Sequence, residues 1–409
     1  MDPLVILIDE KSNALWAAAV ASDGWMFTLD CDVTDETVRW GSVFIGKVAT
    51  IDKKLDACWV DLGERQMGLL PRREWPNKDK APEPGTTLLV QAKSSMLKTS
   101  PEDEQEQEQA VRRKIRLEPK VARLSTDITL PGRYLILATQ DPENRLSRRI
   151  RDRSVRRRMM HMLDELKDSL SGCILRSAAE SVQTDVLMRE GRILQNTWKE
   201  MQETAKHLSE PQELMKGPNA IERLLSDVAG CTIERIEISL LDHMNKVEAW
   251  CETFAPDLVT KIEPLELANA TEDFALFDHY DLLPQIEDLL QPYVLLSGGG
   301  NLVIQETAAL IAVDVNRGGD VDASNLEINR EAAIEVGRQL RLRNLSGIVM
   351  VDFLKTKNKK DEGIIISAIE DAVQLDACTV QIHGMTALGL MELTRQRRLP
   401  PLRERIRGF

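Results

Sequence analysis

The stretch "AALIAVDVNRGGD" (residues 308–320) decides the fold. An apolar run, Ala308 to Val313, ends in Asp314, and Asn316, Arg317 and a glycine pair follow. The run reads as a buried strand with a charge at its exit. Downstream, "GIVMVDF" (347–353) repeats the pattern and puts Asp352 at its end. A helical pattern from Asn325 to Asn344 lies between, and Ser324 and Glu327 have capping-box spacing at its start. Strand, helix, strand is a βαβ unit, whose two strands run parallel. A helix over "DEGIIISAIEDAVQLD" (361–376), a strand over "CTVQIHG" (378–384) and a closing helix over "LMELTRQRR" (390–398) complete an expected α/β region.

Open α/β sheets gather ligands at the carboxyl ends of their strands. Adjacent strands lie about 4.8 Å apart, so Asp314 and Asp352 at matched heights could share one cation. With the Asn316 amide they form a hard-oxygen set that suits Mg²⁺ or Mn²⁺. Such an ion can activate water and offset charge on a phosphodiester. Lys355, Lys357, Lys359 and Lys360 follow Asp352 and could hold the same polyanion. The plainer alternative makes each aspartate an ordinary strand-end cap. Two of them, on strands expected to be neighbours, favour the cation.

Working outward, residues 1–35 read as two or three strands, "LVILID", "ALWAAAV" and "WMFTLDCD". Short alternating segments over 41–75, with glycines at 41, 46, 63 and 68, suit a small β-barrel, and "PGTTLLVQAKSS" (84–95) adds a strand. The acidic, then basic, stretch 100–116 reads as an exposed helix or a disordered excursion. Strands are expected over 132–139, 172–179 and 231–239, and helices over 150–170, 180–208 and 241–254.

The chain of 409 residues is 43% apolar and 29% charged, as soluble globular proteins are. No apolar run approaches a membrane span, and the start "MDPLVILIDEK" lacks the flanks of a signal peptide. Six cysteines stand at 31, 58, 173, 231, 251 and 378, with no C-x-x-C pair. They support neither a disulfide framework nor structural zinc, and a reduced, cytoplasmic setting is the simplest reading. The net charge of −13 argues against indiscriminate polyanion binding. Basic clusters at 145–158, 338–343, 355–360 and 395–407 could nonetheless hold a phosphate backbone locally, although any one of them alone is better read as a solvated helix face.

"SGGGNLVIQETAALIAVDVNRGGD" (297–320), "NLEINREAAIEVGRQLRLRNLSGIVMVDF" (325–353) and "ALGLMELTRQRRLPPL" (387–402) resemble the catalytic segment of the ribonuclease E/G family. The resemblance implies a multidomain α+β and α/β chain. A split RNase H-like domain (1–35 and 221–287) would carry an inserted S1 (OB) RNA-binding barrel (36–119, with the acidic insertion at 100–116). A 5′-sensor region (120–220), a DNase I-like catalytic domain (288–403) and a tail (404–409) would follow. It implies that Asp314 and Asp352 ligate the catalytic metal and that Asn316 orients the attacking water or its neighbours. In "GCILRSA", Arg176 and Ser177 match the positions that bind an RNA 5′-monophosphate, with Ser177 where the family usually has Thr. In the S1 segment "CWVDLGERQMGLLP", Trp59 takes an aromatic RNA-contact position, and Lys120 in "KVARLST" resembles a basic contact. Taken as residues alone, Trp59 could equally be barrel core and Arg176 a surface ion-pair partner.

The implied activity is a Mg²⁺-dependent endoribonuclease on single-stranded RNA, ribosomal precursors or messenger RNA, favouring 5′-monophosphorylated ends. An RNA-binding protein of the same ancestry with weak or no cleavage is the alternative. A metal-dependent phosphoesterase acting on something other than RNA is a third reading, against which the S1-like barrel and Arg176 speak. The chain departs from the family in several places. It has no C-x-x-C zinc link, so no zinc is expected and a homo-oligomer would form without that link. Leu69 stands where a second S1 aromatic is common, the loop after Asp314 is short, and Leu354-Lys355 replace a carboxylate.

Overall fold

The computed structural model describes residues 2–33, 36–97, 121–150, 152–319, 323–356 and 358–406. The chain forms two compact units, residues 32–219 and residues 1–31 with 220–409.

The unit 32–219 holds a closed five-stranded barrel, consistent with an S1/OB domain. Strands Val43–Asp52, Ala57–Gly63, Gln66–Pro71, Ala122–Ser125 and Thr87–Ala92 pair in that order, and the last returns to the first. The second hairpin turns at Glu64-Arg65, both left-handed (φ 48° and 64°), the conformation that suits the right-handed twist of paired strands. Alternation fills the interior with Cys58, Val60, Leu62, Leu70, Val90 and Leu124. A four-stranded sheet follows, in the order Thr129–Pro131, Leu135–Ala138, Cys173–Leu175, Arg145–Leu146. Helices Arg153–Leu166 and Thr184–Lys206 accompany it. Asp152 caps the first of these, accepting from the backbone N–H groups of Ser154 (2.7 Å) and Val155 (2.9 Å). The acidic stretch 100–116 lies outside the described residues.

The other unit contains two sheets. Five strands pair in the order Ile262–Pro264, Ile233–Ile238, Leu4–Lys11, Ala14–Val20, Met26–Cys31. The second sheet holds the opening stretch. Its strands are β1 (Tyr293–Leu295), β2 (Asn301–Glu306), β3 (Ile311–Asn316), β4 (Gly347–Asp352), β5 (Val380–Met385) and β6 (Met391–Arg395). They lie in the order β1-β2-β3-β4-β6-β5. Only β3 and β4 run parallel, joined by α1 (Asn325–Leu342) as the βαβ reading requires. The helix α2 (Lys359–Val373) links β4 to β5. Both helices pack on one face of the sheet, where Leu302, Val313, Val351 and Leu393 meet Ile328, Val336, Ile365 and Ile369. The capping box at Ser324 and Glu327 is present.

Two expectations are corrected. Residues 391–395 form a strand, not a helix: Met391, Leu393 and Arg395 are buried in alternation, and the segment bonds to β4 on one side and β5 on the other. Two open strand edges outweigh the helix propensity of this segment. The basic clusters 338–343 and 395–407 are also not simple solvent-facing patches. Arg343 and Arg395 are buried, and Arg405 reaches Asp30 through the interior.

That interior is an arginine–aspartate knot. Asp30 accepts from Arg223 Nε (2.8 Å) and Nη2 (3.0 Å) and from Arg405 Nη1 (2.6 Å). Asp376 takes two bonds from Arg395 (2.8 and 3.0 Å), and Asp227 pairs with Arg398. Burial alone would raise the Asp30 carboxyl, but Arg223 and Arg405 outweigh it and hold it far below the ordinary 3.8.

Candidate active site

Strands β3 and β4 bring Asp314 and Asp352 together as direct register partners. Along β3, Ile311, Val313 and Val315 turn into the core while Asp314 is exposed. Along β4, Val349 and Val351 are buried and Asp352 is exposed. Both carboxylates therefore stand on the helix-free face. The strand begins at Ile311, later than its apolar sequence suggests, and continues to Asn316. Asp314 thus projects from the sheet itself rather than from the exit loop. Asn316, two residues on, faces the same way and donates its Nδ2 to Asp314 Oδ2 (3.1 Å).

Among the described residues, neither carboxylate makes a salt bridge. Two adjacent anions without an internal cation repel each other, and an external cation would relieve that. No group of three or more His, Cys, Asp or Glu side chains able to hold a metal occurs among the described residues. The donor set is therefore two carboxylates and an amide oxygen. That fits Mg²⁺, which keeps several waters and uses one or two carboxylates, better than a closed cage of protein ligands.

The first turns of α1 organise the surrounding loops. Arg317 donates to Asn325 Oδ1 (2.8 Å) and to the Ala323 carbonyl (3.0 Å), tying the chain just past β3 to the helix start. Asn325 Nδ2 donates to the Lys355 carbonyl (3.2 Å). Buried Asn329 donates to the Leu354 carbonyl (2.7 Å) and accepts its N–H (2.9 Å), fixing the chain after β4. Glu331 accepts from the backbone N–H groups of Ser297 (2.6 Å) and Gly298 (3.0 Å) in the β1–β2 turn. Gly300 closes that turn at φ +95°, and a Cβ there would fall 2.5 Å from the Asn316 carbonyl oxygen. Sequence reasoning passed over Asn325, Asn329 and Glu331. The available signal was two asparagines four apart, on one helix face directly after the Asp314 loop.

The unit 32–219 carries the other singled-out residues. Trp59 is not in the barrel core: it alternates outward between buried Cys58 and Val60, opposite Thr50 and Leu69. The tryptophan buried in the barrel cluster is Trp75, whose Nε1 donates to the Leu70 carbonyl (3.1 Å). Arg176 follows the strand Cys173–Leu175, and its Nη1 donates to the carbonyls of Gly132 (3.0 Å) and Arg133 (3.3 Å). Beneath, buried Glu190 accepts the N–H groups of Tyr134 (2.9 Å) and Leu135 (3.0 Å). Burial pushes the Glu190 carboxyl up, opposed by those bonds and by Arg176 and Arg133. Ser177 is exposed beside Arg176. Lys120, with Lys357 of the lysine run, lies outside the described residues.

Paired carboxylates exposed on the helix-free sheet face, with no salt-bridge partner among the described residues, define a candidate hard-metal site. Comparison with known proteins supplies the lineage: the Ribonuclease E/G family model matches residues 129–398, and the chain belongs to that family. It is 34% identical over 284 residues to Ribonuclease G of Salmonella typhimurium (strain SL1344), covering 68% of this chain and 57% of that protein. Ribonuclease G of Escherichia coli (strain K12) is 32% identical over 283 residues, with the same coverage. Ribonuclease E of Haemophilus influenzae (strain ATCC 51907 / DSM 11121 / KW20 / Rd) is 29% identical over 414 residues, covering 98% of this chain and 42% of that protein. The chain thus spans about half the length of the curated relatives it matches. No described helix is long and apolar enough to cross a membrane.

Proposed function

We propose that the chain is a Mg²⁺-dependent endoribonuclease directed at single-stranded RNA. The observation that carries this reading is the register pairing of Asp314 with Asp352 on the helix-free face, in a chain of the ribonuclease E/G family. Asp314 and Asp352 hold the ion, and Asn316 fixes the rotamer of Asp314 and presents its amide to the same space. Mg²⁺, or Mn²⁺, bound there would supply an activated water and offset negative charge at phosphorus. Lys355, Lys359 and Lys360 attract the RNA backbone to this end of the sheet. The products carry a 5′-phosphate and a 3′-hydroxyl.

The same reading assigns the five-stranded barrel as an S1 domain in which Trp59 stacks a base. Arg176 and Ser177 bind a 5′-monophosphate, Arg through two charged bonds. Residues 1–35 with 221–287 form the RNase H-like part, and 288–403 the DNase I-like part. Substrates are ribosomal precursors or messenger RNA, met in the cytoplasm.

The test is direct. Purified protein is incubated with a 5′-monophosphorylated, A/U-rich single-stranded RNA and Mg²⁺, beside an Asp314→Asn variant. Internal cleavage by the wild type only is expected. Binding without cleavage, in both Mg²⁺ and Mn²⁺, would overturn the enzyme reading in favour of an RNA-binding protein of the same ancestry.

A further inference from the structure

The sheet carries a second feature in line with the carboxylates. Tyr293 on β1 opposes Val303 on β2, Val303 opposes Asp314 on β3, and Asp314 opposes Asp352 on β4. Directly opposed residues project to the same face. Tyr293 therefore shares the helix-free face with both carboxylates, two strand spacings, or about 10 Å, from Asp314. The next row repeats the arrangement, with Leu295 opposite Asn301 and Asn301 opposite Asn316. Tyr293 is 64% exposed and Leu295 84% exposed.

Edge strands are usually blunted with charge. β1 instead presents an aromatic and an aliphatic side chain beside the site. The chain has three tyrosines. Tyr134 is buried with the Arg133 guanidinium over its ring, and the Tyr280 hydroxyl donates to Glu237 (2.5 Å). Tyr293 is the one whose ring lies open to solvent. Aromatic side chains stack nucleobases with little regard to sequence, because every base has a π-face. A second copy of the chain could also cover this edge. The continuous row from Tyr293 to the two carboxylates favours RNA, because a strand whose phosphate lies at a cation between Asp314 and Asp352 can extend over the neighbouring strands of this face and reach Tyr293.

Resting on the nuclease reading above, we propose that Tyr293 is a substrate-positioning residue on whose ring a nucleobase near the scissile phosphate stacks. Leu295 supports the edge of that base. The contact fixes which backbone bond reaches the carboxylates, so it acts on substrate placement and not on the chemical step.

The experiment uses the full chain and one 5′-monophosphorylated RNA with a single cleavage site. Companion RNAs carry one abasic nucleotide at each position flanking that site in turn. Tyr293→Ala is expected to raise KM about tenfold with kcat within about twofold, and Tyr293→Phe to restore wild-type behaviour. At one flanking position the abasic RNA should cost the wild type about tenfold and Tyr293→Ala nothing further. Abasic losses that are equal in wild type and variant at every position overturn the proposal. So does a changed sedimentation coefficient in Tyr293→Ala with KM unaltered, which would assign the edge to a second copy. Fluorescence anisotropy with the same RNAs separates this proposal from the nuclease reading. If the wild type cleaves nothing yet loses affinity for one abasic RNA in a Tyr293-dependent way, the nuclease reading falls and the stacking contact stands.

Discussion

Asp314 and Asp352 stand on the helix-free sheet face with no salt-bridge partner among the described residues; Asp30 and Asp376 lie inside the same unit, each gripped by arginine. The residue type is identical and the environments are opposite. A buried carboxylate must be paired, or it would not remain ionised. An exposed pair held side by side has no such requirement, since water solvates both charges. The difference separates charge that serves the fold from charge that, on the proposed reading, serves a ligand. It sorts the arginines too: those at 343, 395 and 405 are buried struts, whereas Arg153, Arg156 and Arg157 on the helix Arg153–Leu166 face solvent.

The sharpest way to break this comparison is to neutralise one carboxylate from each group. Asp314→Asn should lower cleavage on the order of a thousandfold, the size of losing metal-assisted charge stabilisation. Its thermal stability should stay within about 0.5 kcal/mol of wild type, as for an exposed side chain whose one hydrogen bond, from Asn316, an amide oxygen can still accept. A large drop in melting temperature would show that Asp314 serves the fold. Asp30→Asn should do the reverse, costing about 3–5 kcal/mol by leaving Arg223 and Arg405 buried beside a neutral group. Cleavage per folded molecule should hardly change, and a rate loss at temperatures where the variant stays folded would contradict that division.

The same contrast predicts a pH dependence. The folded-state pKa of Asp30 lies below its unfolded value near 3.8. The stabilisation it gives is therefore present above about pH 4 and is lost as pH falls below that. Denaturant titrations between pH 2 and pH 5 should show a steep acid loss below about pH 4 in the wild type and a shallower one in Asp30→Asn. Parallel slopes would remove Asp30 from the account.

Much of this was legible in the amino-acid sequence because it depends on local periodicity. The strands ending near Asp314 and Asp352, the helix between them and its capping box follow from apolar spacing and one Ser-x-x-Glu pattern. The residues 391–395 were misread because a strand bonded on both sides is specified by its neighbours, which the segment itself does not reveal. The basic runs misled for a related reason. An arginine is charged wherever it sits, and only the fold shows that Arg395 meets Asp376 inside. Asn325, Asn329 and Glu331 were missed because polar helix residues look solvent-facing until the loops they hold are in place.

A smaller effect tests the unit 32–219. Arg176→Ala should erase a preference for 5′-monophosphate over 5′-hydroxyl RNA of about tenfold, the order expected of a charge-assisted hydrogen bond. Because Arg176 also donates to the Gly132 and Arg133 carbonyls, some stability should go with it. Comparing the two RNA ends within each variant cancels that loss. Equal rates for both ends in the wild type would sink the sensor assignment.

The smallest predicted effect concerns the helix that joins the two kinds of carboxylate environment. α1 begins at the loops around Asp314 and Asp352, and the chain just past its end reaches the knot, where Asn344 Oδ1 accepts from Arg395 (2.9 Å). Ser324 caps its start, accepting from the Glu327 N–H (3.3 Å) while Glu327 bonds back to the Ser324 N–H (2.7 Å). Removing the hydroxyl with Ser324→Ala should cost about 1 kcal/mol, the usual value of an N-cap. The loss should concentrate at the site end, because fraying begins in the first turn and the distal end is anchored by Arg343 through Gln339 and the Gln291 carbonyl. Amide exchange should therefore quicken over residues 325–329 and stay slow over 338–342. Uniform acceleration along the helix would mean that the two environments open as one unit, and that the knot gives the site no independent support.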